Sequence, residues 1–98
     1  MSKKYIEALQ DAIRHTHGCE SAYTETVPLN EAFEGKTVWE GDVEVFDLTD
    51  HPTASQCYAW GYQDDAGKWQ YVAVLKTPPV DSPRKAVQAY IISRPKKG

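Results

Sequence analysis

With 98 residues the chain has room for one domain and a modest core, too little for two lobes with a deep cleft between them. An apolar share of 41% with 11% aromatics excludes a disordered chain, and no run approaches the roughly 20 apolar residues that span a bilayer. The net charge of −3 conceals an acidic middle, where Glu31, Glu34, Glu40, Asp42, Glu44, Asp47 and Asp50 face Lys36 alone and repel polyanions, and a basic end carrying Arg84, Lys85, Arg94, Lys96 and Lys97.

Met1-Ser2-Lys3-Lys4 runs straight into an amphipathic pattern without a signal-peptide apolar region, so a cytoplasmic protein with no membrane contact is expected, its Cys19 and Cys57 free. Ser2 caps a first helix over residues 3–17, whose apolar positions Tyr5, Ile6, Leu9, Ala12 and Ile13 recur at helical spacing, and Gly18 supplies a left-handed C-terminal cap. Residues 19–29 alternate Tyr23, Glu25 and Val27 before Pro28, which suits an edge strand. In residues 37–48, "TVWEGDVEVFDL", the β-branched and aromatic residues predict a long strand with a bulge or bend at Gly41.

After a loop at residues 49–54, the segments 55–63 and 68–77 read as a hairpin around Asp64-Asp65-Ala66-Gly67, with Gly67 supplying the positive φ. A four-residue loop pairs Tyr62 with Trp69, Trp60 with Tyr71 and Tyr58 with Ala73. That register gathers Tyr58, Trp60, Tyr62, Trp69 and Tyr71 on one face and leaves Cys57, Ala59, Gly61, Gln70, Val72 and Val74 on the other. The aromatic face is then either core beneath the helices or an open platform for stacking bases or sugars, or for a homodimer contact. Past Pro78-Pro79, Ser82 and Pro83 start a second helix with Ala86, Val87, Tyr90 and Ile91 as its apolar stripe, and Pro95 stops it.

The fold expected is a two-layer α+β domain over residues 1–98, in α-β-β-β-β-α order, with an antiparallel sheet carrying two helices on one face. Short connections exclude parallel pairing.

Catalytic fingerprints are absent: the chain has no Gly-rich phosphate loop, nucleophile elbow or H-E-x-x-H. "HTHGCE" looks like half a metal site, but positions 15 and 17 point roughly 200° apart on a helix, and imidazoles in a last turn are favoured by the helix dipole. A metal or thiol site requires His15, His17 and Cys19 to meet His51 and Cys57 across the fold. Glu40, Asp42 and Glu44 alternate along one strand face, either a carboxylate cluster for a hard cation or acid-base chemistry or, more cheaply, a solvated surface.

At "HGCES", "ETVPL", "GKTVWEGDVEVFDL", "CYAW" and "VAVLKTPPVDSP" most of the chain resembles a group of short stand-alone bacterial proteins of unassigned function. The resemblance implies a self-contained bacterial domain and carries over no site. The element order also resembles the double-stranded-RNA-binding fold. "SPRKAVQAY" supplies Arg84 and Lys85 at the start of the last helix but has Gln88 and Ala89 where further lysines are wanted, so nucleic acid ranks low as a partner. The leading expectation is a non-catalytic binding or interaction module, monomeric or homodimeric, without a cofactor, using the aromatic hairpin face toward a protein or small molecule.

Overall fold

The computed structural model describes residues 3–93; the proposed Ser2 cap, the Pro95 stop and the basic residues Arg94, Lys96 and Lys97 lie outside them. The elements are α1 (Lys3–His17), β1 (Glu20–Phe33), β2 (Lys36–Thr49), β3 (Gln56–Gln63), β4 (Trp69–Leu75) and α2 (Pro83–Ser93). The four strands form an antiparallel meander in the order β1-β2-β3-β4, so the α+β class and element order are as the sequence predicts.

Each boundary has a local cause. α1 ends where Gly18, at φ +69, lets its N–H donate to the Arg14 carbonyl at 2.9 Å. Both 14-residue strands of the β1–β2 hairpin exceed the expected segments, because Glu34 (φ +52) and Gly35 (φ +78) form a two-residue turn that lets pairing run to Phe33 and Lys36. The ladder takes up one extra residue at Thr24 in β1 and one at Val38 in β2. Gly41, the expected bulge, instead pairs in register with Leu29. Its missing side chain makes room for an indole, since a Cβ there would sit 3.3 Å from Trp39 Cη2. β1 is an edge strand, as Pro28 requires. At α2, the Ser82 hydroxyl accepts the Lys85 N–H at 3.3 Å.

The β3–β4 register is one residue off the expected pairing. Asp64 N donates to Lys68 O and Gly67 N to Asp64 O, while Asp64 Oδ1 accepts the Ala66 and Lys68 N–H groups, so the loop holds one residue more than predicted. Gln63 therefore faces Trp69, Tyr62 faces Gln70 and Trp60 faces Val72. A one-residue slip moves every side chain of β4 to the other face.

That slip belongs to a larger correction: the helices lie on opposite faces of the sheet, giving three layers rather than two. Leu9 and Ile13 of α1 pack on Phe46, Cys57 and Ala59, whereas Ala86 and Val87 of α2 pack on Val43, Val45, Tyr58 and Trp60. The reason is visible in β3, where Cys57, Tyr58, Ala59 and Trp60 are buried in succession. A strand with one wet face would alternate; this one needs cover on both sides. Full burial of a side chain such as Leu9, Phe46 or Val87 contributes about 1.5–3 kcal/mol.

Candidate functional site: a cleft where the sheet forks

Pairing of β2 with β3 stops at Glu44 opposite Ala59. Continued for two more residues, the same register would set Gly61 against Asp42. Instead Tyr5 of α1 intervenes, and its hydroxyl accepts the Gly61 N–H at 2.7 Å. Gly61 is the residue that admits the phenol, because a Cβ there would come within 3.0 Å of Tyr5 Cε1 and of two Tyr71 ring carbons. The β1–β2 hairpin and the β3–β4 hairpin thus diverge, and between them opens a cleft of about 400 Å³. Tyr5 lines it from α1, Trp39, Glu40, Gly41, Asp42 and Glu44 from β2, and Trp60, Gly61 and Tyr62 from β3.

Glu44 is fully buried, so the solvated reading of the Glu40-Asp42-Glu44 face fails at its inner member. One oxygen, Oε1, accepts the Thr26 hydroxyl at 2.5 Å. Thr26 has a single hydroxyl hydrogen and gives it to Glu44, so the Tyr23 hydroxyl, 2.5 Å away, donates to Thr26. The other oxygen, Oε2, has no hydrogen-bond partner among the described residues. Burial pushes the Glu44 carboxyl above its ordinary range, and the Asp42 charge acts the same way against the Thr26 hydrogen bond. The Tyr5 phenol is likewise raised, chiefly by burial, and the Gly61 N–H offsets part of the effect.

On the α2 side of the cleft, Trp60 is 1% exposed and its indole Nε1 also has no partner among the described residues. Its ring meets Trp39 edge-on at 5.6 Å and Tyr90 at 5.5 Å. Leaving a buried donor or acceptor unmade costs about 1–3 kcal/mol, and both of these residues line one opening. Glu44 and Trp60 thus flank the cleft from opposite faces of the sheet, each with one buried polar atom unpartnered among the described residues.

The structure does not assemble the expected aromatic platform. Tyr58 and Trp60 are buried beneath α2, and Tyr62, on that same face, is 37% exposed beside Tyr90. Trp69 and Tyr71 lie on the α1 face, 49% and 40% exposed, stacked on each other at 6.4 Å with Tyr5 edge-on to Trp69 at 6.2 Å. Of the five, Trp60 and Tyr62 reach the cleft.

The proposed metal or thiol set is dispersed as well. His15 is exposed, and His17 Nε2 lies 3.1 Å from the Ala73 carbonyl. His51 Nδ1 accepts the Thr53 and Ala54 N–H groups, and its ring is 6.4 Å from that of His17. Cys19 and Cys57 share the buried α1 cluster as free thiols, and burial pushes Cys57 up to about 12. Among the described residues no three His, Cys, Asp or Glu side chains come together as a metal site.

Two further features bear on function. Glu31 is buried, paired with Arg84 and accepting Gln88 Nε2 at 2.8 Å, which ties α2 to β1. Lys85 pairs with Asp81 at 3.3 Å, so both cations at the start of α2 face carboxylates. Among the described residues, no helix is long and apolar enough to cross a membrane.

Sequence reasoning missed Tyr5, Trp39 and Gly61 as site residues and set Glu44 aside as part of a solvated face. Tyr5 reads as one more apolar position on a helical stripe, and its role depends on a residue 56 positions away. The one available signal was a glutamate between two valines in a strand whose neighbours are apolar. No protein-family model, curated protein or solved structure matches this chain.

Proposed function

We propose that this protein is a non-catalytic binding module whose ligand enters the fork between the two hairpins. The observation that carries this reading is the cleft of about 400 Å³ at the fork, where Tyr5, Trp39 and Tyr62 line one opening together with Glu40 and Asp42. A concave opening lined by aromatic rings with a few polar groups is the usual form of a small-ligand site. Burial pushes the Cys57 thiol up to about 12, which keeps it in its less nucleophilic protonated form and supports binding over thiol chemistry.

The partner on this reading is a small molecule or a protruding group of a protein. Duplex RNA is disfavoured by the engagement of Arg84 with Glu31 and of Lys85 with Asp81, beside an acidic cleft. The unbridged Cys19 and Cys57 fit a reducing compartment such as the cytoplasm.

The test is a fragment screen followed by amide and indole chemical shifts in two-dimensional NMR. Ligands of this module shift the Trp60 indole N–H together with the Gly61 and Glu44 amides. Shifts gathered instead at Trp69 and Tyr71 would transfer the site to the outer aromatic pair.

A further inference from the structure

The two edges of the sheet are unlike. β1 carries features that discourage strand addition: Pro28 lacks an N–H, exposed Glu25 is charged, and the ladder breaks register at Thr24. β4, at the opposite edge, reads "WQYVAVL", seven residues with no charge, proline, glycine or bulge.

The hydrogen bonds at its two ends show which backbone groups β4 leaves open. Asp64 N donates to Lys68 O and Lys76 N to Gln56 O. Alternation along the register between them puts the even-numbered residues of β4 in the ladder with β3 and turns the N–H and C=O groups of Trp69, Tyr71, Ala73 and Leu75 outward. The far half of this edge is engaged: His17 Nε2 lies 3.1 Å from the Ala73 carbonyl, and Thr77 N donates to the Leu75 carbonyl at 3.0 Å. The near half is open, since among the described residues no hydrogen bond engages the outward N–H or C=O of Trp69 or Tyr71. The rings of both stand beside these groups, stacked on each other and 49% and 40% exposed.

Two donors and two acceptors on alternate residues of one strand are their own complement. A two-fold axis at Gln70 sets Trp69 of one copy against Tyr71 of the other and closes four backbone hydrogen bonds with the open groups alone. Gln70, which is uncharged, then faces its own counterpart, where like charges would repel. An axis at Tyr71 would call instead on the Ala73 carbonyl, beside which His17 already lies. Charge favours the same antiparallel arrangement. The loop before β4 holds Asp64 and Asp65 against Lys68, while exposed Lys76 follows β4, so the acidic end of one copy comes to the basic end of the other.

We propose that β4 pairs antiparallel with β4 of a second copy about an axis at Gln70, joining two four-stranded sheets into one. This surface goes beyond the fork: neither Trp69 nor Tyr71 lines the cleft. Two short strands and their rings cover less than the roughly 800 Å² per partner of a standard interface, so the dimer is weak and concentration-dependent.

The experiment combines sedimentation equilibrium with amide hydrogen exchange by NMR on the full chain, from about 10 μM to about 1 mM. Dimer forms as concentration rises, and the Trp69 and Tyr71 amides gain protection with it. Gln70→Lys, which sets like charges across the axis, weakens dimerisation at least about tenfold. Trp69→Pro removes an outward donor at the first residue of the strand without removing a bond to β3, and weakens it as well; circular dichroism confirms that both variants are folded. A chain that stays monomeric to about 1 mM overturns the proposal; if a peptide of residues 69–75 then protects the same two amides, the edge takes an isolated strand and not a second copy. A dimer whose Trp69 and Tyr71 amides exchange as in the monomer, or which both substitutions leave intact, joins through another surface and overturns it too.

Discussion

Strand β2 behaves differently at its two ends. From Glu44 to Asp47 it is paired with β1 on one side and β3 on the other, and the neighbouring side chains Val45, Phe46, Cys57 and Tyr58 are sealed under both helices. From Lys36 to Val43 it is paired with β1 alone, and the gap on its other side is held open by a phenol bound to Gly61. The first region satisfies its backbone by ladder bonds and its side chains by packing. The second opens onto the cleft, and at the junction Glu44 keeps a carboxylate oxygen and Trp60 of β3 an indole N–H without partners among the described residues. Stability and recognition are thus assigned to successive stretches of one strand, and each can be perturbed separately.

The largest effect belongs to the closed region. Phe46→Ala, at a fully buried ring, lowers unfolding free energy by about 3–5 kcal/mol in urea titrations; a loss below about 1 kcal/mol would show that the closed half is not the stable one. In the open region, Gly61→Ala drives a methyl to within 3.0 Å of the Tyr5 and Tyr71 rings and costs about 1–3 kcal/mol, more than Gly41→Ala, where the nearest indole atom is 3.3 Å away. Equal costs at the two glycines would mean that Tyr5 is not wedged. Tyr5→Phe takes away the acceptor of the Gly61 N–H, and hydrogen exchange should show that amide losing protection while Cys57 and Ala59 keep theirs.

Glu44→Gln sharpens the contrast through pH. The folded carboxyl holds its proton above the ordinary value of 4.5, so its contribution to stability is fully present below that value and is lost as pH rises through the folded pKa. Wild type therefore loses stability relative to Glu44→Gln across that interval, and at neutral pH the glutamine variant is the more stable. Parallel stability curves for the two proteins would contradict the burial of Glu44. The smallest signal is chemical: with its thiol pushed up to about 12, Cys57 in the closed half resists alkylation at pH 8 until the protein is unfolded.

Much of the fold was legible because it is written locally. The helical stripe of α1 ending at Gly18, the Ser82 cap of α2, the edge position of Pro28 and the presence of a β3–β4 hairpin all follow from residues within a few positions of one another. The number of loop residues was not, because Asp64 can close either loop length and its side-chain bonds decided between them. That single residue changed the faces of Trp69 and Tyr71 and dissolved the expected aromatic platform. Helix placement was missed for a related reason. Small Cys57 and Ala59 looked like one helix's bed and large Tyr58 and Trp60 like the other surface, when each set has a helix of its own. The cleft was illegible because no local pattern says that a ladder will stop at Glu44.

The hydrogen bond from Gly61 to Tyr5 also sets an order in time. It joins residues 56 positions apart, as does the contact of His17 with Ala73, while Glu31 waits for Arg84, 53 positions away. The two hairpins can form from neighbouring segments, but closing such long loops is slow and belongs late in folding. The hydroxyl that receives the Gly61 N–H comes from α1, so the fork is complete only once α1 has docked on the sheet. The cleft is accordingly a property of the finished fold, and whatever fills it stabilises that fold by mass action.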